Sequence, residues 1–194
     1  MSHEDRVAVL PRRSFLARSG TLLSASAVLL VAGHESRAQG MGGATAADVN
    51  ILNVALGLEH EAINAYQVGA QSGLLQKPVL DVAVKFQGDH KGHRDALAAT
   101  IQKMGGTPVK EKSLDEYAKA LKADTLKSQS DVLALAAMLE LGATNAYLGV
   151  IPSFKDAQLA KVAARLATDE TMHWTVLNNA LGRPLPSEAL PFGA

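Results

Sequence analysis

Six residues in this chain have the types and the spacing to hold a metal ion. They are Glu59, His90 with His93, Glu140, and Glu170 with His173. The frame Leu58-Glu59-x-x-Ala62 returns eighty-one residues later around Glu140, and the pair His90-x-x-His93 returns eighty residues later as Glu170-x-x-His173. Two residues at i and i+3 project to the same side of a helix, so both can reach one ion. A helix carrying one Glu, followed by a helix carrying such a pair, and the unit repeated once, is one way a four-helix bundle holds metal in its core. Mixed imidazole and carboxylate donors suit iron, manganese or zinc. A lone Glu on an apolar stripe is more commonly a boundary residue, and a lone His a hydrogen-bonded core residue. Six at matching heights on four helices call for a shared explanation, because buried carboxylates are costly unless paired or metal-bound.

The elements that must position these residues are legible as helices. The first is expected over about Asp48 to Ser72, with Leu52, Ala55, Leu56, Ile63 and Tyr66 on its apolar stripe and Glu59 in the middle. Glu61 falls about 200° round from Glu59 and is expected to face solvent, with His60 on the flank. Thr45-x-x-Asp48 has the form of a capping box. Gly73 ends this helix and Pro78 suits the first turn of the next. The second helix, about Pro78 to Met104, carries Val82, Phe86, His90, His93, Leu97 and Ile101 on one stripe. The third runs from about Asp131 to Ile151, capped near Ser130. The fourth follows Ser153-x-x-Asp156 and runs to about Leu181. Between the second and third helices lie residues 106 to 129, with a short helix expected over Leu114 to Lys122. That stretch is long enough to cross the length of the bundle, so the second and third helices are expected to run parallel. Gly57, Gly69, Gly88, Gly92, Gly142 and Gly149 interrupt the helices, and close helix approach is their expected use.

Tyr66 and Tyr147 stand seven residues after Glu59 and Glu140 on the same faces. A hydrogen bond to a metal-bound carboxylate or a redox role would each account for them. Filling the core with a satisfied hydroxyl is the commoner use of a buried Tyr. Asn64 and Asn145 lie off the stripes and are expected at helix contacts or on the surface.

The first forty residues read differently. Arg12-Arg13-Ser14-Phe15-Leu16, an apolar run over Thr21 to Ala32 and the small-x-small site Ser36-Arg37-Ala38 form an export signal. The apolar run is too short to span a bilayer, which takes about 20 residues. The paired arginines resemble the twin-arginine motif, which implies a periplasmic destination. An ordinary secretion signal is the alternative. The expected organisation is thus a signal peptide over 1–38, a flexible linker over 39–47, the bundle over 48–183 and a tail over 184–194. Cleavage after Ala38 leaves 14 basic and 16 acidic residues. So small a net charge recommends no nucleic-acid partner. With no Cys there is neither a disulfide nor a lipid-anchored cysteine, and no membrane attachment is expected after cleavage.

The run Asp48-Val49-Asn50-Ile51-Leu52-Asn53-Val54-Ala55-Leu56-Gly57-Leu58-Glu59-His60-Glu61-Ala62 resembles the opening of exported ferritin-like domain proteins, and the resemblance extends over about residues 46 to 183. It implies an all-α, ferritin-like four-helix bundle with a long crossover between helices 2 and 3. It also implies a core site with Glu59 and Glu140 as terminal carboxylates, Glu170 and His173 as one Glu-x-x-His motif, and His93 as the His of the other. The cofactor implied is iron or manganese in a mono- or dinuclear centre, zinc less so, and the activity metal or peroxide handling. A metal-dependent oxidoreductase would fit, but no motif names a substrate. A homo-oligomer is compatible, whereas nothing marks the acidic inner surface of a storage shell. His90 departs from the pattern, standing where a metal-bridging Glu is expected, so an asymmetric pair or a single-metal site becomes an alternative. Asp89, beside it, is a candidate stand-in about 70° out of phase. A structural or partner-binding bundle that keeps the polar residues without metal, or a zinc-binding protein, is the other reading.

Overall fold

The computed structural model describes residues 43–193; the expected export signal and the expected linker up to residue 42 lie outside the described residues. The described residues form helices and no strand. Helix α1 is Gly43–Gln71, α2 is Lys77–Lys103, α3 is Leu114–Ala120, α4 is Gln129–Val150 and α5 is Ala157–Ala180. Helix α1 starts at Gly43, inside the stretch expected to be a linker. Thr45 and Asp48 therefore both fall within the helix. The buried Asp48 carboxylate instead accepts a hydrogen bond from the backbone N–H of Lys155, just before α5, at 3.1 Å.

The helix boundaries follow the chemistry of the chain. Gly73, Gly105 and Gly182 take positive φ of 71°, 78° and 66° after α1, α2 and α5, the left-handed exit that glycine permits without strain. Pro78 sits in the first turn of α2, where its missing N–H costs nothing. Ser113 and Glu116 cap α3 reciprocally. Helix α4 is capped by Ser128, two residues earlier than expected, and α5 by Asp156. Of the six helical glycines expected to serve close approach, Gly69 does, since a Cβ there would lie 2.9 Å from Val132 Cγ1. Gly57, Gly88, Gly92, Gly142 and Gly149 face open space, so the close-approach expectation fails for them.

Helix α1 packs along α2, α4 packs along α5, and α1 crosses α4. The α1–α4 contact is antiparallel: Tyr66 reaches Glu140 while Tyr147 reaches Glu59. With α1 and α2 joined by a tight turn, α2 and α4 run parallel, as the long crossover requires. That crossover lies along α1. Asn53 bonds both the carbonyl of Thr107 and the N–H of Val109, and Asn64 donates to Glu111. The C-terminal tail folds back, with Phe192 edge-on to Trp174 and the N–H of Gly193 bonded to Asn145 Oδ1. Gln129–Ser153 is long and apolar enough to cross a membrane by length and composition; here it packs against α1 and α5.

The apolar core is divided in two. One cluster holds Leu52, Leu56, Leu97, Ile101, Leu159 and Leu166, and the other Leu133, Ala137 and Leu177. Each fully buried large aliphatic side chain contributes about 1.5–3 kcal/mol. On α2, α4 and α5 the predicted polar residues fall between these clusters.

Candidate metal centre

The structure brings all six sequence-predicted residues together. Glu170 has no exposed surface, His90 is 1% exposed, Glu59 and Glu140 are 2%, and His93 and His173 are also buried. They form two groups of four, in each of which one ligand atom per residue lies within 4.8 Å of the others. The first is Glu59, His90, His93 and Glu170; the second is His90, Glu140, Glu170 and His173.

His90 and Glu170 belong to both groups, and each divides its two polar atoms between them. Nδ1 of His90 lies 2.8 Å from Glu59 Oε2, and its Nε2 lies 3.2 Å from Glu140 Oε1. Oε1 of Glu170 lies 3.2 Å from His93 Nδ1, and its Oε2 lies 3.4 Å from His173 Nδ1. Each half thus has one Glu and one His of its own plus one nitrogen of His90 and one oxygen of Glu170. Both nitrogens of His90 are engaged, one in each half. A neutral imidazole has a single lone pair, so His90 can ligate in one half while its other nitrogen donates in the other, and the asymmetry expected from sequence stays open.

The groups around the centre are also matched. Tyr66 donates to Glu140 at 2.5 Å, and Tyr147 donates to Glu59. Asp169 faces Nε2 of His93 at 3.2 Å, and Asp89 faces Nε2 of His173 at 3.3 Å. Asp89 is therefore not the stand-in ligand considered from sequence. Its side chain is one-third exposed and orients the histidine of the opposite half-site. A His that donates from Nε2 to a carboxylate presents Nδ1 inward, the usual support for a metal-ligating imidazole. A signal for these two residues was present in the sequence: Asp89 and Asp169 each immediately precede the i, i+3 pair.

Burial and charge set the protonation of the centre. Burial alone would lower the imidazoles. Close contacts with the carboxylates and their charges outweigh it, raising His93 to about 10 and His173 to about 9, with His90 raised well above its ordinary value. Burial raises the carboxylates, yet contacts with the imidazoles win at Glu59 and Glu140, which are held below the ordinary range. At Glu170 burial prevails and the pKa rises. Tyr66 and Tyr147 are raised well above the ordinary value by burial and then by the adjacent carboxylates, so both stay protonated donors.

A metal fits these residues on one observation above all. Among the described residues, the buried side-chain atoms without a hydrogen-bond partner are both oxygens of Glu170, Oε2 of Glu140, Nδ1 of His93, Nδ1 of His173 and Nδ1 of His60. All but the last belong to the centre, where Nδ1 of His93 and of His173 face the two Glu170 oxygens at 3.2 and 3.4 Å without hydrogen-bond geometry. Buried polar atoms are almost always satisfied, and here those left over are donor atoms of the type a transition metal takes.

Three other residues differ from expectation. His60, expected on a solvent-facing flank, is only 7% exposed, because the crossover covers it; its Nε2 bonds the carbonyl of Val109 at 3.2 Å. Asn64 is buried under the same segment and donates to the His60 carbonyl at 2.8 Å. Glu61, expected to face solvent, is half-buried on the wall of an apolar cavity, and burial raises its pKa.

A four-helix bundle with one long crossover and a carboxylate–histidine core is the architecture of the ferritin-like proteins. The family model described as "Ferritin-like domain" matches residues 47–183, and the chain belongs to that family. The crystal structure of a conserved hypothetical protein from Mycobacterium tuberculosis is similar in fold, with a TM-score of 0.59 and 22% sequence identity over 76% of this chain and 99% of that one. No curated protein matches the chain.

Proposed function

We propose that this protein holds iron or manganese at two adjoining sites in the bundle core and acts in metal or peroxide handling in the periplasm, which it reaches by the twin-arginine route. The observation that carries the proposal is the set of buried, unpartnered donor atoms on Glu140, Glu170, His93 and His173. Glu59 and His93 would serve one site and Glu140 and His173 the other, with Glu170 and His90 shared between them. A bound redox metal would supply one-electron chemistry toward dioxygen or peroxide. The chain's own residues do the rest. Asp89 and Asp169 hold the two terminal imidazoles in register. Tyr147 occupies Oε1 of Glu59 and leaves Oε2 facing His90 and His93, whereas Tyr66 bonds the same Glu140 oxygen that faces His90 and His173 and leaves Oε2 without a hydrogen bond. The two apolar clusters flank the centre, and all six side chains are buried.

The test is elemental analysis of protein matured through its own export pathway, followed by anaerobic reconstitution with iron(II) and with manganese(II). Stoichiometric uptake of either supports the reading. Trace metal that reconstitution does not increase refutes it. A second reading has one specific observation in its favour: His90 by itself hydrogen-bonds both Glu59 and Glu140, so the core can be largely satisfied as a metal-free polar network. In that case Glu170→Ala changes stability with no metal content to lose. Copurification of zinc alone, with no reactivity toward dioxygen or peroxide, would identify the centre as a zinc site.

A further inference from the structure

At the end of the bundle where α2 begins and α5 ends, the helices enclose a cavity of about 310 Å³. Its walls are mainly apolar and include Ala65, Val79, Leu133, Ala136, Leu139 and Leu177, drawn from all four long helices. Leu75 and Leu126, from the two inter-helix connections, also line it. Its polar boundary is made of Glu61, Tyr66 and Glu140. Tyr66 and Glu140 are hydrogen-bonded to each other, and Glu140 belongs to the metal centre, so the cavity and the centre share a wall.

We propose that this cavity binds a neutral, apolar small molecule and holds it against the Glu140 edge of the centre. The volume is in the range of ligand pockets. It is about twice the roughly 150 Å³ that accommodates benzene in a dry apolar cavity, which corresponds to roughly ten to fifteen non-hydrogen atoms. The lining sets the class of ligand. No Lys, Arg or His lines the cavity, and its charged members are both carboxyl groups. An anionic amphiphile such as a fatty acid would bury its charge beside Glu61 and Glu140 with no counter-ion. A medium-chain alcohol, an aldehyde or a bicyclic aromatic carries no such penalty. The hydroxyl of Tyr66 is already committed to Glu140 at 2.5 Å, so recognition rests on apolar contact, with at most one hydroxyl of the ligand donating to Glu61. A second copy of the chain would cover the mouth without filling a space walled by four helices and two connections. The binding does not depend on the metal reading; only the placement of the ligand beside a metal centre rests on it.

The experiment titrates the full folded protein, metal-free and cobalt(II)-loaded, with the neutral fluorophore 1-aminoanthracene, which is then displaced with 1-decanol or with decanoate above pH 8. Saturable one-site binding is expected, with 1-decanol displacing the probe and decanoate weaker by roughly tenfold or more. The cavity-filling variants Ala65→Trp and Ala136→Trp, checked by circular dichroism, are expected to weaken the probe by a similar factor. In the loaded protein 1-decanol should perturb the cobalt absorption spectrum. Absence of saturable binding to folded wild type, equal displacement by decanoate, or unchanged affinity in whichever filling variant folds overturns the proposal. Sedimentation showing a dimer that excludes the probe also overturns it. An unperturbed cobalt spectrum with 1-decanol bound refutes the placement beside the centre. Probe binding without metal uptake would sink the metal reading alone, and metal uptake without probe binding would sink the cavity alone.

Discussion

Glu170 contributes one oxygen to each half of the centre, whereas His93 serves one half, so their losses should differ in kind. Glu170→Ala is expected to abolish metal uptake, and His93→Ala to leave the half built on Glu140 and His173 occupied; metal-to-protein ratios by elemental analysis distinguish the outcomes. Protons compete for the same atoms. His93 and His173 keep their protons up to about pH 10 and 9 in the metal-free protein, so apparent metal affinity should rise with pH through that range, as competition with a chelator would show. Metal-free stability moves the other way. Imidazoles raised by folding contribute stability that is complete below their ordinary value near 6.5 and is lost as pH climbs through about 9 to 10. Glu59, lowered by folding, contributes stability above its ordinary value near 4.5 that is lost as pH falls. Thermal melts of the metal-free protein should therefore peak between these limits. Tyr147→Phe removes the donor to buried Glu59 and should cost about 1–3 kcal/mol, measurable by urea denaturation.

Between elements, the crossover is fastened to α1 by few groups. Asn53 holds it twice, at Thr107 and Val109, and Gly106 lets it leave α2 beside Val49. Asn53→Ala should cost about 1 kcal/mol and speed hydrogen exchange over residues 107–112, with α4 and α5 unaffected. Gly106→Ala would set a Cβ 2.6 Å from Val49 Cγ1 and 3.0 Å from Ile101 Cγ2, at a fully buried residue of the larger apolar cluster. It should destabilise more than Asn53→Ala, because the contact is with the core and not with solvent.

For the whole molecule, a polar layer between two apolar clusters means that a metal bound in the core would be coupled to the fold. Saturation at a hundred times the dissociation constant adds about 2.7 kcal/mol. For a domain of this size, that corresponds to a melting temperature higher by roughly 5–10 °C. Calorimetry with and without manganese(II), and after chelation, measures it. No shift on loading would mean that the metal binds outside the core.

The α-helical class, the four long helices, the long crossover and the six inward residues were legible in the amino-acid sequence alone. A helix advances about 100° per residue, so phase arithmetic on one helix identifies which face is buried. The same arithmetic says nothing about what lies opposite that face, which only tertiary packing decided. It placed Tyr66 against Glu140, Asp89 against the histidine of the other half, and the crossover over His60. It also placed His90. From sequence it stood where a carboxylate is expected; in the fold its two nitrogens lie on opposite sides of the ring and reach Glu59 and Glu140, a contact across the bundle that helix phase cannot foresee.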